Sequence, residues 1–458
     1  MNSVNSILGK PCVLFTECGA EFQCVFSLSN KNIWINASAF NDYAIEFVKN
    51  RRSDEFSKLC GEISGTPVTA ISTISGTSYC TIGSIDLSMF LDKLIIGVKS
   101  FDELVINSIS AEIPALDWFY MDTAIIMDFE STHPSFSLKL DEPLSAKWFN
   151  GKINIYRKYT FSDSFSGSSH LNRNILEFNS TKGVSLRYAC QRLFETHSLF
   201  VFLADSGINV LPEMNIRLKG DENLYSIYFN DMEYFNKEIS SPFRIRYNTT
   251  KGKYNSIIKN WNTFYSRNKE VVELYVEIVA KHSRRVNRFL DLARIIETYS
   301  KRNRDNDAKN ICRKYNVNCK SSSCSNCETC GQYYRYLEMF ITYGRALPTN
   351  AYLPSIFNRN MSLNTNKIET TCNDITLLRN HYAHYGEPRG KNKVADKRRL
   401  SKLLKSQFVY GRYSNLLHLL MLSVIYNQLG FLDDEIRVAL TGGESGRFGD
   451  TLEVIYGK

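Results

Sequence analysis

The feature of this 458-residue chain that most limits what it can fold into is a change of hydrophobic period near residue 240. From Pro11 to about Lys158, short apolar or alternating runs recur: Cys12 to Phe15, Phe22 to Leu28, Asn32 to Asn36, Val68 to Ile74, Ser78 to Ile85, Lys93 to Val98 and Leu104 to Ile109. Turn formers such as Ser64-Gly65-Thr66-Pro67 and Ser75-Gly76-Thr77 separate them. Successive side chains of an extended chain face opposite sides, so runs of this kind build half-buried strands. Ser135 to Leu140, Lys152 to Lys158 and Tyr225 to Phe229 extend the series, and its spacing predicts a sandwich or partly closed barrel rather than a parallel sheet. Val184 to Leu203 breaks the pattern with helical spacing at Leu186, Cys190, Leu193, Phe194 and Val201, a helical insertion near 184–204.

Beyond Tyr247 the spacing is helical. Lys269 to Lys301 sets Leu274, Ile278, Val286, Phe289, Leu290, Ala293 and Ile296 on one face of a single predicted helix. Further helices are expected over Tyr333 to Tyr343, through Ile368, Cys372, Ile375, Leu378 and Tyr382, and over Ala395 to Leu429. The fold class is therefore α+β: a β-rich domain over 1–245, then an all-α bundle over 246–458 with a polar, Cys-rich loop at 301–331.

A hydrophobic content of 43% places both halves among globular proteins rather than disordered ones. The N-terminal residues lack the charged head and apolar run of a secretory signal. Asn415 to Leu432, the most apolar stretch, is too short and too interrupted to span a bilayer, so a reducing, cytoplasmic location without membrane contact is expected.

Five of the twelve cysteines, Cys312, Cys319, Cys324, Cys327 and Cys330, fall in one polar loop. Cys-x-x-Cys pairs bring two thiolates onto one tetrahedral ion, so this spacing predicts a structural zinc held by Cys319, Cys324, Cys327 and Cys330, with Cys312 spare. An iron–sulfur cluster and unligated thiols are the alternatives.

Leu377-Leu378-Arg379-Asn380-His381-Tyr382-Ala383-His384-Tyr385-Gly386 concentrates a guanidinium, a carboxamide and two imidazoles at a helix end. A guanidinium holds phosphate oxygens in a fork, and an imidazole exchanges protons near neutral pH. With RNA the substrate's own 2′-hydroxyl is available as nucleophile, so neither a metal nor a protein nucleophile is needed. A surface cap that complements the helix dipole, and a zinc-binding His-x-x-His, explain the same residues without catalysis. Directly after it lies a basic run that includes Lys397, Arg398, Arg399 and Lys402, either a solvated helix face or a cationic apron for RNA phosphates.

The stretch resembles the R-N-x-x-x-H signature of HEPN-domain ribonucleases. Arg288-Phe289-Leu290-Asp291-Leu292-Ala293-Arg294-Ile295-Ile296-Glu297 resembles the long helix of ApeA-type antiphage proteins, whose β-rich-then-helical order this chain shares. The resemblance implies a metal-independent endoribonuclease of abortive-infection defence. In it Arg379 stabilises the scissile phosphate, His384 performs acid–base chemistry, Asn380 orients either, and His381 is a bystander. It implies that Glu297 supports Arg379, an ordinary surface ion pair being the alternative. It further implies single-stranded or loop RNA as substrate, tRNA among the candidates, and a homodimer or higher homo-oligomer. The N-terminal half would then be a sensor answering a phage-derived trigger. A non-catalytic zinc-containing RNA-binding or scaffold protein is the competing reading. Within that half His133, His170 and His197 read as surface or packed residues, and Trp34, Trp118 and Trp148 as core or interface aromatics.

Overall fold

The computed structural model describes residues 4–29, 32–50, 58–81, 84–120, 125–128, 135–138, 141–164, 167–230, 243–280, 285–304, 328–347, 365–384, 393–406 and 408–441. Two compact units emerge: one of residues 1–117, 122–197 and 208–238, the other of residues 118–121, 198–207 and 239–458. The second unit thus recruits two short pieces from before the boundary expected at 245, because apolar side chains such as Phe119 and Phe200 pack against Phe243 there.

The first unit contains β1 (Pro11–Phe15), β2 (Glu21–Ser29), β3 (Asn32–Ala39), β4 (Lys58–Ile63), β5 (Thr66–Thr81), β6 (Ser84–Ile96), β7 (Val105–Glu112), β8 (Ile125–Asp128) and β9 (Ser135–Leu138). It continues with β10 (Leu144–Trp148), β11 (Gly151–Ser164), β12 (Gly167–Ser185), β13 (Glu213–Leu218) and β14 (Tyr225–Phe229). Helix α1 (Asp42–Asn50) interrupts them, as do α2 (Leu116–Tyr120) and α3 (Leu186–Ala204), whose C-terminal parts belong to the second unit; α3 is the expected insertion.

Pairing in the order β6-β3-β2-β1-β4-β5, with β5 returning to β6, closes six antiparallel strands into a barrel. Strict alternation turns Phe22, Cys24 and Phe26 of β2, and Ile33, Ile35 and Ala37 of β3, into its interior. Each large apolar side chain so buried contributes about 1.5–3 kcal/mol. Ser75-Gly76-Thr77, expected as a turn, lies inside β5, where the register slips between Ser72 and Gly76. A glycine within a strand marks a bulge as readily as a turn.

Strand β6 changes partner along one edge, from β3 at Ile85–Phe90 to β14 at Lys93–Ile96. The buried Asn230 fills the fork. Its Oδ1 accepts the Ile33 N–H at 2.7 Å, and its Nδ2 donates to the Ile33 and Leu91 carbonyls at 2.6 Å each. Backbone groups that lose their ladder partner at the split are thereby satisfied.

Beyond β14 the sheet runs β10-β11-β12-β7-β13-β14. One face carries Ile153, Ile155, Leu176, Phe178, Ile109, Met214 and Ile216 inward, and Tyr188 and Phe194 of α3 pack edge-on against Phe178 and Phe229. Trp148 is buried, and His197 is packed with its Nε2–H on the Ile208 carbonyl at 3.1 Å. Burial in apolar surroundings lowers the His197 pKa to about 4, so it stays neutral. Trp34 stands edge-on to Phe90, whereas Trp118 of the second unit is 41% exposed. The His133 expectation falls outside the described residues.

The second unit comprises α4 (Tyr247–Thr250), α5 (Tyr254–Ala280), α6 (Arg285–Asn303), α7 (Glu328–Tyr343), α8 (Thr365–His384), α9 (Lys393–Leu404), α10 (Val409–Leu429) and α11 (Asp433–Thr441). Two predicted helices are each divided. Lys269 to Lys301 falls into α5 and α6, with a kink at Asn268 in α5. Ala395 to Leu429 falls into α9 and α10. At the second break the environment changes: α9 is basic and largely exposed, whereas α10 is buried almost all round. Helix α7 begins at Glu328, earlier than expected, and so takes in Cys330.

Candidate active site

Helix α8 forms because Ile368, Cys372, Ile375 and Leu378 bury one stripe at three- and four-residue spacing. Near its C-terminus this fixes Arg379 and Asn380 beside α6 and α7. Arg379 donates from Nε to Glu297 Oε1 at 3.1 Å and from Nη2 to Oε2 at 3.2 Å, a bidentate pair. Its Nη1 donates to Asn380 Oδ1 at 3.3 Å. The amide of Gln332, oriented as its neighbours require, accepts from Nη1 and Nη2 at 3.1 and 3.2 Å and donates to Asn380 Oδ1 at 2.9 Å. Tyr336, one turn after Gln332 on α7, donates its hydroxyl to Glu297 Oε1 at 2.6 Å.

Three helices therefore lock one guanidinium. Exposure of its side chain is 20%, against 12% for Glu297, so the pair is largely shielded from water. Burial, then the charge and hydrogen bond of Glu297, hold the Tyr336 pKa well above its usual range, so it stays a donor. Glu297 was expected only through family resemblance; Gln332 and Tyr336 were not expected. The one signal for them is a Gln one turn before a Tyr in a helix rich in buried aromatic residues.

His384 is the last residue of α8, 1.5 Å of helix rise per residue from its neighbours. His381 stands edge-on to Tyr382 at 5.3 Å, and Tyr382 edge-on to Tyr410 at 5.2 Å, which ties the end of α8 to α10.

The four basic residues of α9 are not equivalent. Arg399 forks onto the buried Asp374 of α8 at 2.8 and 2.6 Å, and Tyr413 adds a hydroxyl at 2.7 Å. Its guanidinium fastens α9 to α8. Lys397 is half-buried, while Arg398 and Lys402 are exposed. Asp374 lies five residues before Arg379, roughly 7.5 Å along α8 and about 140° around it, so α9 is fastened to a different face of α8 from the one that bears the Arg379 cluster.

Cys312, Cys319, Cys324 and Cys327 lie outside the described residues, and Cys330 stands in the first turn of α7. Elsewhere Cys12, Cys24, Cys60, Cys190 and Cys372 are buried and Cys18 is exposed.

Arg379 and Asn380 thus stand in the penultimate turn of α8, anchored by a carboxylate from α6, and α8 ends at His384. Residues 290–435 match the family described as Apea-like HEPN. The matched span contains Glu297, Gln332, Tyr336, Arg379, Asn380 and His384. No curated protein and no solved structure matches the chain. No helix among the described residues is long and apolar enough to cross a membrane.

Proposed function

We propose that the chain is a metal-independent endoribonuclease of abortive-infection defence, acting on single-stranded or loop RNA, tRNA among the candidates. The observation that carries this reading is the Arg379 cluster. A guanidinium positioned by Glu297, Gln332 and Asn380 is preorganised to meet a phosphate at a helix end that also bears His384. The 2′-hydroxyl attacks the adjacent phosphorus as His384 accepts its proton, Arg379 stabilises the charge on the non-bridging oxygens, and the P–O5′ bond breaks with the 5′-oxygen taking up a proton from solvent. The products are a 2′,3′-cyclic phosphate and a 5′-hydroxyl. Arg398 and Lys402 on α9 attract the RNA backbone, a term that weakens with salt. Two copies of the chain facing each other across the RNA, in a homodimer or higher homo-oligomer, and an N-terminal unit that responds to a phage-derived trigger complete the proposal.

Incubating the full-length chain with RNA in EDTA should give cyclic-phosphate ends within minutes, from an assembly of at least two chains by sedimentation. A substrate with a single 2′-deoxy position should be spared at that bond. Cleavage of the deoxy position, or immediate loss of activity in EDTA from folded protein, would rule the mechanism out.

A second reading has its own support: all three guanidinium nitrogens of Arg379 already donate within the domain. In a non-catalytic RNA-binding scaffold they would simply cap the helix bundle. That reading predicts RNA binding without scission, unchanged in His384→Ala.

Zinc on Cys319, Cys324, Cys327 and Cys330 remains part of the proposal. It would pin the segment before α7 rather than take part in chemistry. Metal content of the purified chain should be close to one zinc per chain and fall in Cys327→Ser; a folded, zinc-free wild type would refute it.

A further inference from the structure

The second face of the β10–β14 sheet is polar, although the opposite face is a continuous apolar layer beneath α3. With the two-residue period, Ser108, Ser110 and Glu112 of β7 share it with Arg173, Ile175 and Glu177 of β12. Tyr156 and Lys158 of β11, and Glu213, Asn215 and Arg217 of β13, complete the surface. Together with Leu211 and Leu224 at its rim they enclose a cavity of about 600 Å³. A solvated outer sheet face needs polar residues but neither concavity nor a particular arrangement of them. Here the arrangement is ordered.

We propose that this cavity binds a nucleoside phosphate. Lys158 and Arg173 are register partners at one end and offer two exposed cations to a phosphate. In the middle, Glu112 lies on the row next to Ser110 and Glu177, where carboxylates accept from ribose hydroxyls. Burial raises the Glu112 pKa, with Arg173 opposing and Asp117 reinforcing it, a strain that hydroxyl donors would relieve. At the far side Asn215 Oδ1 is buried and has no hydrogen-bond partner among the described residues. An exocyclic amine of a base supplies the missing donor. Leu211 and Leu224, 38% and 46% exposed, give the flat base two apolar walls.

The dimensions agree. Arg173 and Asn215 are separated by two strand spacings, about 10 Å, and by two same-face steps, about 13 Å along the strands. The reach of arginine from one end and of asparagine from the other shortens that span to the length of one nucleotide. Charges of both signs also explain why no simple anion suits the site: three carboxylates stand among the three cations.

This inference is independent of the ribonuclease reading, since binding can be measured in the Arg379→Ala chain. Calorimetric titration of that full-length protein with AMP, CMP, GMP and UMP, with ATP, and with adenosine, ribose 5-phosphate and inorganic phosphate tests it. At least one base-bearing phosphate should bind, and its parent nucleoside should bind at least roughly tenfold more weakly. Lys158→Ala/Arg173→Ala, at exposed positions, should weaken binding by a similar factor with an unchanged melting temperature. Asn215→Leu should reduce the preference for an amine-bearing base; Lys158→Glu provides a single-site check should either variant fold poorly. Absence of binding by every nucleotide overturns the proposal. So does equal binding by the double variant, or inorganic phosphate binding as tightly as the nucleotides.

Discussion

Arg379→Ala and His384→Ala should each lower RNA cleavage by about 10²-fold or more, the scale lost when a charge-stabilising donor or a general acid–base group is removed. The two should differ in stability. Arg379 is a hub: its removal leaves Glu297, 12% exposed and hydrogen-bonded by Tyr336, without its counter-charge. Breaking a shielded pair from one side costs about 3–5 kcal/mol, lowered by the partial exposure of this one. Arg379→Lys keeps the charge but forfeits the fork, so it should remain folded and still be slow. Glu297→Gln keeps Tyr336 partnered and should reduce cleavage less than Arg379→Ala. Cleavage rates measured beside urea unfolding curves separate these effects. Wild-type cleavage by folded Arg379→Ala or His384→Ala would sink the site assignment.

The largest loss of stability is expected at Asp205→Ala. Asp205 ends α3 in a left-handed conformation, φ +54°, where glycine is the usual residue. The Asp205 N–H reaches the Phe202 carbonyl at 3.2 Å and the Ser206 N–H the Val201 carbonyl at 3.3 Å, closing the helix end. A non-glycine tolerates this strain here because its carboxylate is needed. Asp205 Oδ1 accepts from His418 Nε2 at 2.5 Å and from the Tyr275 hydroxyl at 2.8 Å, and Oδ2 from Arg244 Nε at 2.7 Å. Arg288 Nη2 lies 2.8 Å from His418 Nδ1; arginine only donates, so Nδ1 accepts and the Nε2 proton faces Asp205.

Burial opposes ionisation of Asp205, but His418, Arg244 and Tyr275 more than offset it and hold its pKa below the usual carboxylate range. Asp205→Ala should cost about 3–5 kcal/mol, and Asp205→Gly about 1 kcal/mol less because the backbone strain is relieved. The sign of the pH dependence follows from a depressed carboxylate pKa. The stabilisation is complete above the unfolded-state value near 4 and is lost as pH falls below it. Unfolding free energy of wild type should therefore decline below about pH 4 more steeply than that of Asp205→Ala. Parallel profiles would remove Asp205 as the cause.

How much of this could be read in advance varies by element. β14 is found at Tyr225–Phe229, as its alternation predicts, and α3 starts within two residues of its expected position because both patterns are local. The Ser75-Gly76-Thr77 bulge and the break between α9 and α10 are not legible in the sequence because local chemistry is ambiguous there. Glycine serves turns and bulges alike, and a helical period cannot show where burial begins. At the site, Arg379 and Asn380 were visible in one short stretch. Gln332 and Tyr336 were not, because their meaning depends on a helix some fifty residues away in the chain packing against them.

The sequence by itself determined the two textures, strand-periodic then helix-periodic, and the Arg-Asn-x-x-x-His stretch, since both rest on spacing within a few residues. Tertiary structure alone decided which strands close the barrel, that Asn230 seals the fork in β6, and that Arg399 serves Asp374. It also decided that Glu297 and Gln332 surround Arg379 and that Asp205 bears the buried network of its unit. These outcomes depend on partners from distant parts of the chain, and hydrogen bonds of a buried polar group are fixed only when packing brings those partners within reach.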